Sequence, residues 1–412
     1  MTTHTTAIVG ASVGGVRTAQ ALRAAKYDGR IVLIGDDHNM PYDKPPLSKA
    51  FLSGRVSQSD ICLLNAETAD TLNIELVLGN AAIALDPARA VVTLADGLTV
   101  GYDCLVLATG ARARPSPWGS QDGIHVIRSV ADATALRRDI EEGGHLAIIG
   151  AGFVGAETAA TARAMGLDVT LIDPTPAPMS RLLGSDMGRR FTDLHVRNGV
   201  DTRFGVGVES VDGEVGAFDI GLTDNSTVHA TAVVVGIGAI PNDGWVATSG
   251  LHIDNGIVCD RYCNASGHGN IFALGDVARF DNVRRNESTR LEHWTNAVEQ
   301  AAVVAHNIVH PTDRRLHAPL EYAWSDQFDW KIQIVGLAES HTQTVVEDPT
   351  NPNRFAIAYA TDDSQLSGLV AVNWPKALIT ARRALDKGIA FDVFTEQPEG
   401  LLMPKMPARM EQ

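Results

Sequence analysis

Two short glycine-rich stretches constrain the fold of this chain more than any other feature. GASVGG, residues 10–15, directly follows the apolar run AIV, and GAGFVG, residues 150–155, follows LAII. In a strand–turn–helix unit the first glycine allows a tight turn, the middle one lets a pyrophosphate approach, and the third lets the helix pack against the strand. The pyrophosphate accepts hydrogen bonds at the helix N-terminus, where the helix dipole favours negative charge. The sequence therefore predicts two dinucleotide-binding units.

The first stretch departs from this fingerprint, because Ser12 stands where the middle glycine is expected. Serine is small, so we expect a slightly bent backbone and a phosphate site that is distorted but retained. The alternative is that both stretches are ordinary helix-packing turns without a ligand. The acidic residues that follow them argue against this alternative.

Each stretch is followed by a carboxylate at the end of a second predicted strand. Asp173, in VTLIDP, stands 23 residues after Gly150, and Asp36, in IVLIGDD, stands 26 residues after Gly10. A carboxylate at this place accepts the hydroxyls of an adenosine ribose and repels a 2′-phosphate. No arginine immediately follows Asp173, so the second unit is predicted to favour NADH over NADPH. Asp36 lies one position later in its frame, where Gly35 occupies the equivalent place.

The composition limits the classes of protein that remain. At 412 residues the chain is long enough for two or three domains, and 45% apolar with 20% charged residues is typical of a globular protein. A formal net charge of -15 argues against a nucleic-acid partner, because phosphate binding needs a basic surface. No apolar run of about 18 residues and no signal-peptide pattern are found, so we expect a cytoplasmic protein without a membrane span.

The order of predicted elements indicates an α/β fold. Strands and helices alternate around each glycine-rich stretch, at spacings that favour parallel sheets. The last block carries alternating apolar patterns (KIQIVGLAE, TQTVVED, RFAIAYA, LSGLVAVN) and one helix, PKALITARRALDKG, which predicts an antiparallel sheet with a helix. We predict two Rossmann-like dinucleotide-binding domains and a C-terminal α+β domain, ending in a surface tail at PEGLLMPKMPARMEQ. The predicted domains are 1–112 with 242–318, 113–241, and 319–412.

Two nucleotide sites in one chain suggest a flavoprotein reductase, with FAD in the first unit and NADH in the second. Two further stretches fit this hypothesis. ATG, residues 108–110, ends a strand where a crossing between domains is expected. ALGD, residues 273–276, ends another strand, where Asp276 could bond a ribityl hydroxyl. A helix cap is the alternative role for Asp276.

The cysteines argue against a metal site and against an internal dithiol. Cys62 and Cys104 are isolated, and the pair Cys259 and Cys263 lacks a second pair that would complete a zinc or iron–sulfur set. No closely spaced pair follows the first glycine-rich stretch. We therefore predict no metal, and we expect electrons to leave the flavin for an external carrier.

GASVGG, YDKPPLSK, LATG, GAGFVG, GIGAIPN and ALGDVARF occur in that order. In this combination the chain resembles the oxygenase-coupled, NADH-dependent ferredoxin reductases of the glutathione-reductase-like flavoprotein superfamily. The resemblance implies an FAD domain in two pieces, an inserted NADH domain and a C-terminal domain at the flavin. It also implies electron transfer from NADH through FAD to a [2Fe–2S] ferredoxin, which supplies a haem-thiolate monooxygenase or a ring-hydroxylating dioxygenase.

The resemblance further implies roles for individual residues. Lys49 resembles the lysine beside the isoalloxazine, and Glu157 resembles the glutamate that pairs with that lysine near the nicotinamide site. Trp294 stands where the family places a residue against the pyrimidine end of the flavin. The residues assigned to FAD are Gly10, Ser12, Gly14, Gly15, Asp36, Lys49, Ala82, Ala108, Gly110, Arg128, Asp276 and Trp294. The residues assigned to NADH are Gly150, Gly152, Gly155, Glu157, Asp173 and Gly238.

Three alternatives stay open at the level of the sequence. A rubredoxin- or nitrite-reductase-linked relative would share the fold and differ in its partner. A flavin NADH oxidase would need a reactive cysteine, for which Cys62 is the candidate. A non-catalytic binding protein of the apoptosis-inducing-factor kind would need a basic surface, which the net charge of -15 disfavours.

An acidic ferredoxin and this acidic chain would repel each other at long range, so docking needs a local basic patch. Arg284, Arg285 and Arg290 follow ALGDVARF closely and are predicted to flank the flavin edge. The pairs 314–315 and 382–383 are also arginines but are less well placed by sequence. A solvated loop without a partner is the alternative.

Overall fold

The structure is a computed structural model that describes residues 4–338, 342–348, 351 and 353–395. The described helices are α1 (Val13–Ala24), α2 (Ala66–Thr71), α3 (Val130–Ile140), α4 (Phe153–Ala164), α5 (Ser180–Arg197), α6 (Trp294–Val309), α7 (Pro375–Lys387) and α8 (Phe391–Thr395). Short 3₁₀ turns lie at Pro45–Ser48, Ser59–Ile61, Gly244–Val246 and Gly275–Val277.

The described strands are β1 (Thr5–Val9), β2 (Arg30–Ile34), β3 (Ile74–Val77), β4 (Ala82–Asp86), β5 (Val91–Leu94), β6 (Thr99–Gly101), β7 (Cys104–Leu107), β8 (Ala111–Ala113), β9 (Ile124–His125), β10 (His145–Ile149), β11 (Asp168–Asp173), β12 (Asp201–Phe204), β13 (Val208–Glu214), β14 (Ala217–Leu222), β15 (Thr227–Ala230), β16 (Ala232–Val235), β17 (Ala239–Pro241), β18 (Ile257–Cys259), β19 (Ile271–Ala273), β20 (Ala278–Asn282), β21 (Glu287–Arg290), β22 (Tyr322–Gln327), β23 (Trp330–Gly336), β24 (Gln343–Glu347), β25 (Phe355–Ala360) and β26 (Leu366–Val372).

The chain divides into two compact units. The first comprises Met1–Pro46, Val56–Arg114 and Ala239–Pro319, and the second comprises Leu47–Arg55, Pro115–Gly238 and Leu320–Gln412. The short segment 47–55 therefore belongs with the second unit, although sequence of the first unit flanks it on both sides. The predicted boundaries, which assign this segment to an FAD domain and separate an NADH domain from a C-terminal one, remain predictions.

A five-stranded parallel sheet, in the order β19-β7-β1-β2-β3, forms the centre of the first unit. Its register aligns the carboxyl ends of the strands, because Val9 pairs with both Ile34 and Leu107, and Leu107 pairs with Ala273. The GASVGG, GDD, ATG and LGD loops therefore leave the sheet along one edge, which is where ligands bind in folds of this class. The antiparallel sheet β4-β5-β6 is inserted between β3 and β7.

The second unit repeats this plan. Its parallel sheet has the order β12-β11-β10-β16-β9, and Ile149 pairs with both Ile172 and Val235. The GAGFVG turn, Asp173 and the GIG stretch thus follow neighbouring strand ends. The antiparallel sheet β13-β14-β15 is inserted between β12 and β16, as β4-β5-β6 is in the first unit. The predicted fold class, with two Rossmann-like units, is confirmed.

The C-terminal part of the second unit is an antiparallel sheet in the order β22-β23-β26-β25-β24. Alternate residues of β25 enter two different cores: Phe355, Ile357 and Tyr359 pack with the α4 and α5 side, and Ala356 and Ala358 pack with α7. This two-sided burial explains the continuous apolar run of β25. The predicted tail at residues 398–412 lies outside the described residues.

The elements that were not predicted include the helices α2 and α8 and the strands β8, β9, β18, β20, β21 and β22. The strand β22 has the sequence YAWSDQ, which lacks an alternating apolar pattern, and its fully buried positions hold Ser325 and Gln327. Among the helices that the structure describes, we find none with the length and apolar character needed to cross a bilayer.

Candidate cofactor sites

The first glycine-rich turn is packed so tightly that side chains are excluded. Gly10 has φ +117°, and a Cβ there would lie 2.1 Å from the carbonyl oxygen of Ala108. A Cβ on Gly15 would lie 1.9 Å from the carbonyl oxygen of Gly10, and one on Gly14 would lie 2.5 Å from Cδ1 of Leu274. Gly10 and Gly15 are therefore required by the packing of the backbone itself, whereas Gly14 faces the end of a flexible leucine side chain.

The second turn has the same contacts. Gly150 has φ +102°, and its Cβ would lie 2.3 Å from the carbonyl oxygen of Gly236. A Cβ on Gly155 would lie 1.9 Å from the carbonyl oxygen of Gly150. Gly238, at the end of the GIG stretch, has φ +111°, as Gly110 at the end of ATG has φ +65°.

The middle position of the fingerprint behaves differently. Ser12 has φ -117° and Gly152 has φ -71°, and both are extended, so the backbone at neither position requires a glycine. Within the described part of the chain, a Cβ added to Gly152 would meet no neighbouring atom within 4 Å. The flanking glycines keep the same close contacts in both turns, whereas φ at the middle position differs between them, so the distortion of the phosphate site expected from Ser12 stays a prediction.

The starts of α1 and α4 leave their N–H groups available for a phosphate. Neither helix has an acidic residue in its first turn, and neither Ser12 nor Gly152 makes a side-chain cap. Helix α3, by contrast, closes its own N-terminus with a capping box of Ser129 and Asp132. With the open space above Gly152, these helix starts fit the pyrophosphates of FAD and NADH.

The two predicted ribose carboxylates are held in different ways. Asp173 accepts hydrogen bonds from the backbone N–H of Ala151 at 2.9 Å and of Thr175 at 2.8 Å, which ties it to the second turn. Asp36 is exposed, and its neighbour Asp37 is the anchored one, accepting from the N–H of Asn39 and the hydroxyl of Tyr42.

The pKa of Asp37 reflects this anchoring. Burial alone would raise it, but the hydrogen bonds from Asn39 and Tyr42, together with the nearby charge of Lys44, lower the pKa below its ordinary value. Sequence reasoning missed Asp37, although the doubled aspartate in IVLIGDD was a visible signal. The ribose role predicted for Asp36 stays a prediction.

A buried polar network supports the ALGD turn in the first unit. The N–H of Gly275 donates to Oε1 of Gln300 at 2.7 Å, and Nδ2 of Asn296 donates to the same oxygen at 3.2 Å. Oδ1 of Asn296 in turn lies 3.0 Å from Nε2 of His317. Burial lowers the pKa of His317 to about 4, so this histidine is neutral at pH 7. The buried Nε2 of Gln300 has no acceptor among the residues that the structure describes, which fits a site completed by a bound group.

The structure brings the two predicted catalytic residues together inside the second unit. Nζ of Lys49 lies 2.9 Å from Oε2 of Glu157, and their side chains are only 18% and 7% exposed. Lys49 comes from the segment 47–55 and Glu157 from α4. The same Oε2 accepts from the hydroxyl of Ser48 at 2.6 Å, and Oε1 accepts from the hydroxyl of Ser325 at 2.7 Å. Neither serine was among the predicted site residues.

The remaining predicted residues are distributed over both units. In the first unit, Nε1 of Trp294 donates to Asp43 at 2.8 Å, Ala82 begins β4, and the carbonyl oxygen of Asp276 accepts from Arg290 at 3.0 Å. In the second unit, the N–H of Arg128 donates to Asp132 beside the start of α3. Their contacts with cofactors stay predictions.

The structure does not support a patch of three free arginines. The side chain of Arg285 is 17% exposed, and its Nη1 lies 3.1 Å from Oε1 of Glu287. The side chain of Arg290 is 12% exposed, and its Nη1 lies 2.6 Å from Oε1 of Glu292. Their charges are therefore largely neutralised by neighbouring carboxylates. Arg284 is exposed, and its Nε donates to the carbonyl oxygen of Ala318 at 3.2 Å. Of the three, Arg284 alone presents its side chain to solvent to a large extent.

The thiols are free and poorly reactive where they are buried. Burial raises the pKa of both Cys259 and Cys263 well above the ordinary thiol value, and it raises the pKa of Cys104 to about 11. Among the residues that the structure describes, we find no group of His, Cys, Asp or Glu side chains arranged to hold a metal ion.

Comparison with known families decides the assignment. Residues 4–301 match the family described as pyridine nucleotide-disulphide oxidoreductase, and residues 322–395 match the reductase C-terminal family. The chain belongs to the pyridine nucleotide-disulphide oxidoreductases. The family resemblance predicted from the motifs is confirmed, and the chain is an oxidoreductase of the FAD- and NAD-dependent kind.

Individual proteins are similar to this chain over nearly its whole length. The chain is 36% identical over 382 residues to rhodocoxin reductase of Rhodococcus erythropolis, covering 92% of this chain and 88% of the relative. It is 37% identical to the ferredoxin–NAD(+) reductase component of the anthranilate 1,2-dioxygenase system of Burkholderia cepacia, covering 92% and 94%. The crystal structure of the covalent putidaredoxin reductase–putidaredoxin complex matches with a TM-score of 0.90 and 30% identity, covering 97% of both chains.

Proposed function

We propose that this oxidoreductase passes electrons from NADH through FAD to a [2Fe–2S] ferredoxin, which in turn supplies a monooxygenase or dioxygenase. The observation that carries the proposal is the Lys49–Glu157 ion pair, which lies in the same unit as the GAGFVG turn and Asp173. Relatives named as ferredoxin reductases over nearly the whole chain support it.

When bound, FAD accepts an electron pair as hydride and releases electrons one at a time. The chain supplies the positioning and the charge. The Lys49 ammonium stabilises the negative charge that follows hydride transfer, and the Glu157 carboxylate holds that ammonium in place. The turns at Gly10–Gly15 and Gly150–Gly155 bind the two pyrophosphates, and Asp173 selects a ribose without a 2′-phosphate.

The further cofactor contacts follow from the family resemblance and form part of the proposal. The proposed contacts to FAD outside the turn are Asp36, Ala82, Ala108, Gly110, Arg128, Asp276 and Trp294. The proposed further contact to NADH is Gly238. The buried network of Gln300, Asn296 and His317 would fix the turn that presents Asp276.

A cytochrome c reduction assay with NADH and a panel of purified ferredoxins tests the function directly. We expect a yellow protein with one non-covalent FAD, and rapid reduction only when a matching [2Fe–2S] ferredoxin is present. Rapid formation of peroxide or water without any carrier would instead support an NADH oxidase. Turnover with rubredoxin alone would favour a rubredoxin reductase, and failure to reduce ferricyanide with NADH would revive a binding protein. A cytoplasmic location is part of the proposal, because NADH is supplied there.

The exposed arginine gives a test of docking. If Arg284 steers an acidic ferredoxin, Arg284→Glu should slow ferredoxin-dependent turnover several-fold at low salt, and the difference should shrink as the Debye length falls from about 10 Å at 0.1 M to 3 Å at 1 M. The NADH-to-ferricyanide rate should stay unchanged. Arg285→Glu should instead lower the melting temperature, since it places a carboxylate beside Glu287. Equal loss of both activities in Arg284→Glu would count against docking.

A further inference from the structure

The carboxylate of Glu157 is buried and has donors on both of its oxygens. Oε2 receives the ammonium of Lys49 at 2.9 Å and the hydroxyl of Ser48 at 2.6 Å. Oε1 receives the hydroxyl of Ser325 at 2.7 Å. Ser325 comes from β22, in the C-terminal sheet, and is completely buried. The serine is therefore the partner that fixes the second oxygen of Glu157.

Ser325 is itself the middle of a directed chain of hydrogen bonds. Nε2 of Gln327 donates to Oγ of Ser325 at 3.0 Å, and Nε2 of His195 lies 3.2 Å from Oε1 of Gln327. Because Gln327 donates to Ser325, the serine proton is left for Glu157, and His195 must donate to the glutamine oxygen. Burial lowers the pKa of His195 to about 4, so the ring is neutral and carries the single N–H that this arrangement needs.

The hydrogen bonds that run from His195 through Gln327 and Ser325 stabilise the negative charge of the Glu157 carboxylate. A buried carboxylate stays ionised only when charge and hydrogen bonds offset its desolvation. Hydrogen bonds that are aligned head to tail strengthen one another in a medium of low dielectric constant. Among the described contacts of Glu157, the charged partner is Lys49, and the partners Ser48 and Ser325 are neutral. The next titratable group along these hydrogen bonds is His195.

We propose that Ser325, supported by Gln327 and His195, is a positioning residue that keeps Glu157 ionised and thereby holds the Lys49 ammonium in one place for hydride transfer. The inference rests on the proposed function for the role of Lys49, but its contacts stand on the structure alone. It gives the unpredicted strand β22 a role in the active centre. Removing the Ser325 hydroxyl takes away the donor described on Oε1, so the carboxylate loses a hydrogen bond that stabilises its charged form.

The first experiment compares Ser325→Ala with a matched control, Ser367→Ala. Ser367 lies on β26 of the same sheet and donates to the carbonyl oxygen of Leu337, away from Glu157. In single-turnover mixing of the FAD-loaded protein with NADH, we expect the rate of flavin reduction in Ser325→Ala to fall as the pH is lowered from 8, by up to about tenfold at the acid end of the range. The wild type and Ser367→Ala should stay flat, and the KM for NADH should not change.

Two further variants separate positioning from folding. Ser325→Thr keeps the hydroxyl and should restore the wild-type pH profile. Gln327→Met removes only the support of the serine and should shift the profile less than Ser325→Ala does. If Ser325→Ala has the pH profile of the wild type, or if Ser367→Ala shifts equally, the inference is wrong.

The second experiment does not depend on turnover. An infrared pH titration should show a protonated-carboxyl band in Ser325→Ala at a higher pH than in the wild type, and the band should disappear in the double variant with Glu157→Gln. Absence of this band in Ser325→Ala over the same pH range would overturn the inference. A wild type that NADH fails to reduce would overturn the proposed function, whereas the infrared result would still decide the role of Ser325.

Discussion

The two glycine-rich turns share one backbone design and differ at a single fingerprint position. In both turns the first and third glycines are pressed against carbonyl oxygens at 1.9–2.3 Å from a would-be Cβ. The middle residue is extended in both, and at Gly152 the space that a side chain would fill contains no protein atom. The outer glycines are therefore required by the fold. At the middle position the described protein atoms leave room for a side chain, so a glycine there matters only for the proposed ligand. This difference explains why Ser12 is compatible with an intact turn.

The two units also differ in the contacts of the carboxylate that follows each glycine-rich turn. Asp173 closes onto the backbone of its own glycine-rich turn, whereas Asp36 is exposed and Asp37 takes the structural bonds. In the second unit the turn is thus hydrogen-bonded to the carboxylate that is predicted to bind the ribose, whereas none of the hydrogen bonds described for the first unit joins Asp36 to its turn. Substitutions in matching positions should reveal this difference.

The largest effect is expected from Gly15→Ala and Gly155→Ala. Each added methyl group would overlap a backbone oxygen 1.9 Å away, so the helix must shift at a cost of about 1–3 kcal/mol or more. Gly15→Ala should be purified without FAD, and Gly155→Ala should keep FAD but lose reduction by NADH. Flavin absorbance per chain and an NADH titration measure the two losses. Loss of FAD from Gly155→Ala would show that the two turns are not independent.

A smaller effect is expected at the carboxylates. Asp173→Ala leaves the N–H groups of Ala151 and Thr175 without an acceptor, at a cost of about 1–3 kcal/mol, and should raise the KM for NADH about tenfold or more. Asp173→Asn should mainly erode the preference for NADH over NADPH, since it removes the charge that repels a phosphate.

Asp36→Ala is the matched substitution in the first unit. Because the side chain of Asp36 is exposed, the melting temperature should change little, whereas the FAD content should fall, since Asp36 is the proposed contact to the adenosine ribose. Thermal unfolding and flavin absorbance per chain measure these two properties of Asp36→Ala.

For Asp173, the kinetics of the wild type with both nicotinamide nucleotides provide the test. Equal efficiency with NADH and NADPH would refute the role given to Asp173.

The smallest effect is expected from exchanging the middle residues. Ser12 makes no side-chain cap, so Ser12→Gly should change the free energy of unfolding by only a few tenths of a kcal/mol. Gly152→Ser should fold normally and weaken NADH binding by a modest factor, because its side chain enters the space left for the ligand. A marked loss of stability in Gly152→Ser would break the comparison between the two turns.

The parts of the structure that local stereochemistry dictates were predictable from the sequence. The turns, the alternation of strands and helices, and the parallel sheets follow from glycine spacing and apolar periodicity, and the structure confirms them. The motif resemblance also named Lys49 and Glu157, which the structure places 2.9 Å apart. Strong, repeated local patterns carry this information because they act within one strand–turn–helix unit.

What the tertiary structure decided are the contacts between distant parts of the chain. Ser325 bonds Glu157 across 168 positions, in a strand whose sequence shows no apolar alternation. The ion pairs that cover Arg285 and Arg290, and the membership of residues 47–55 in the second unit, were likewise absent from the predictions. A serine or an arginine carries the same local signal whether it is solvated or buried. Only the packing of the chain determines which partner satisfies its hydrogen bonds and therefore what it does.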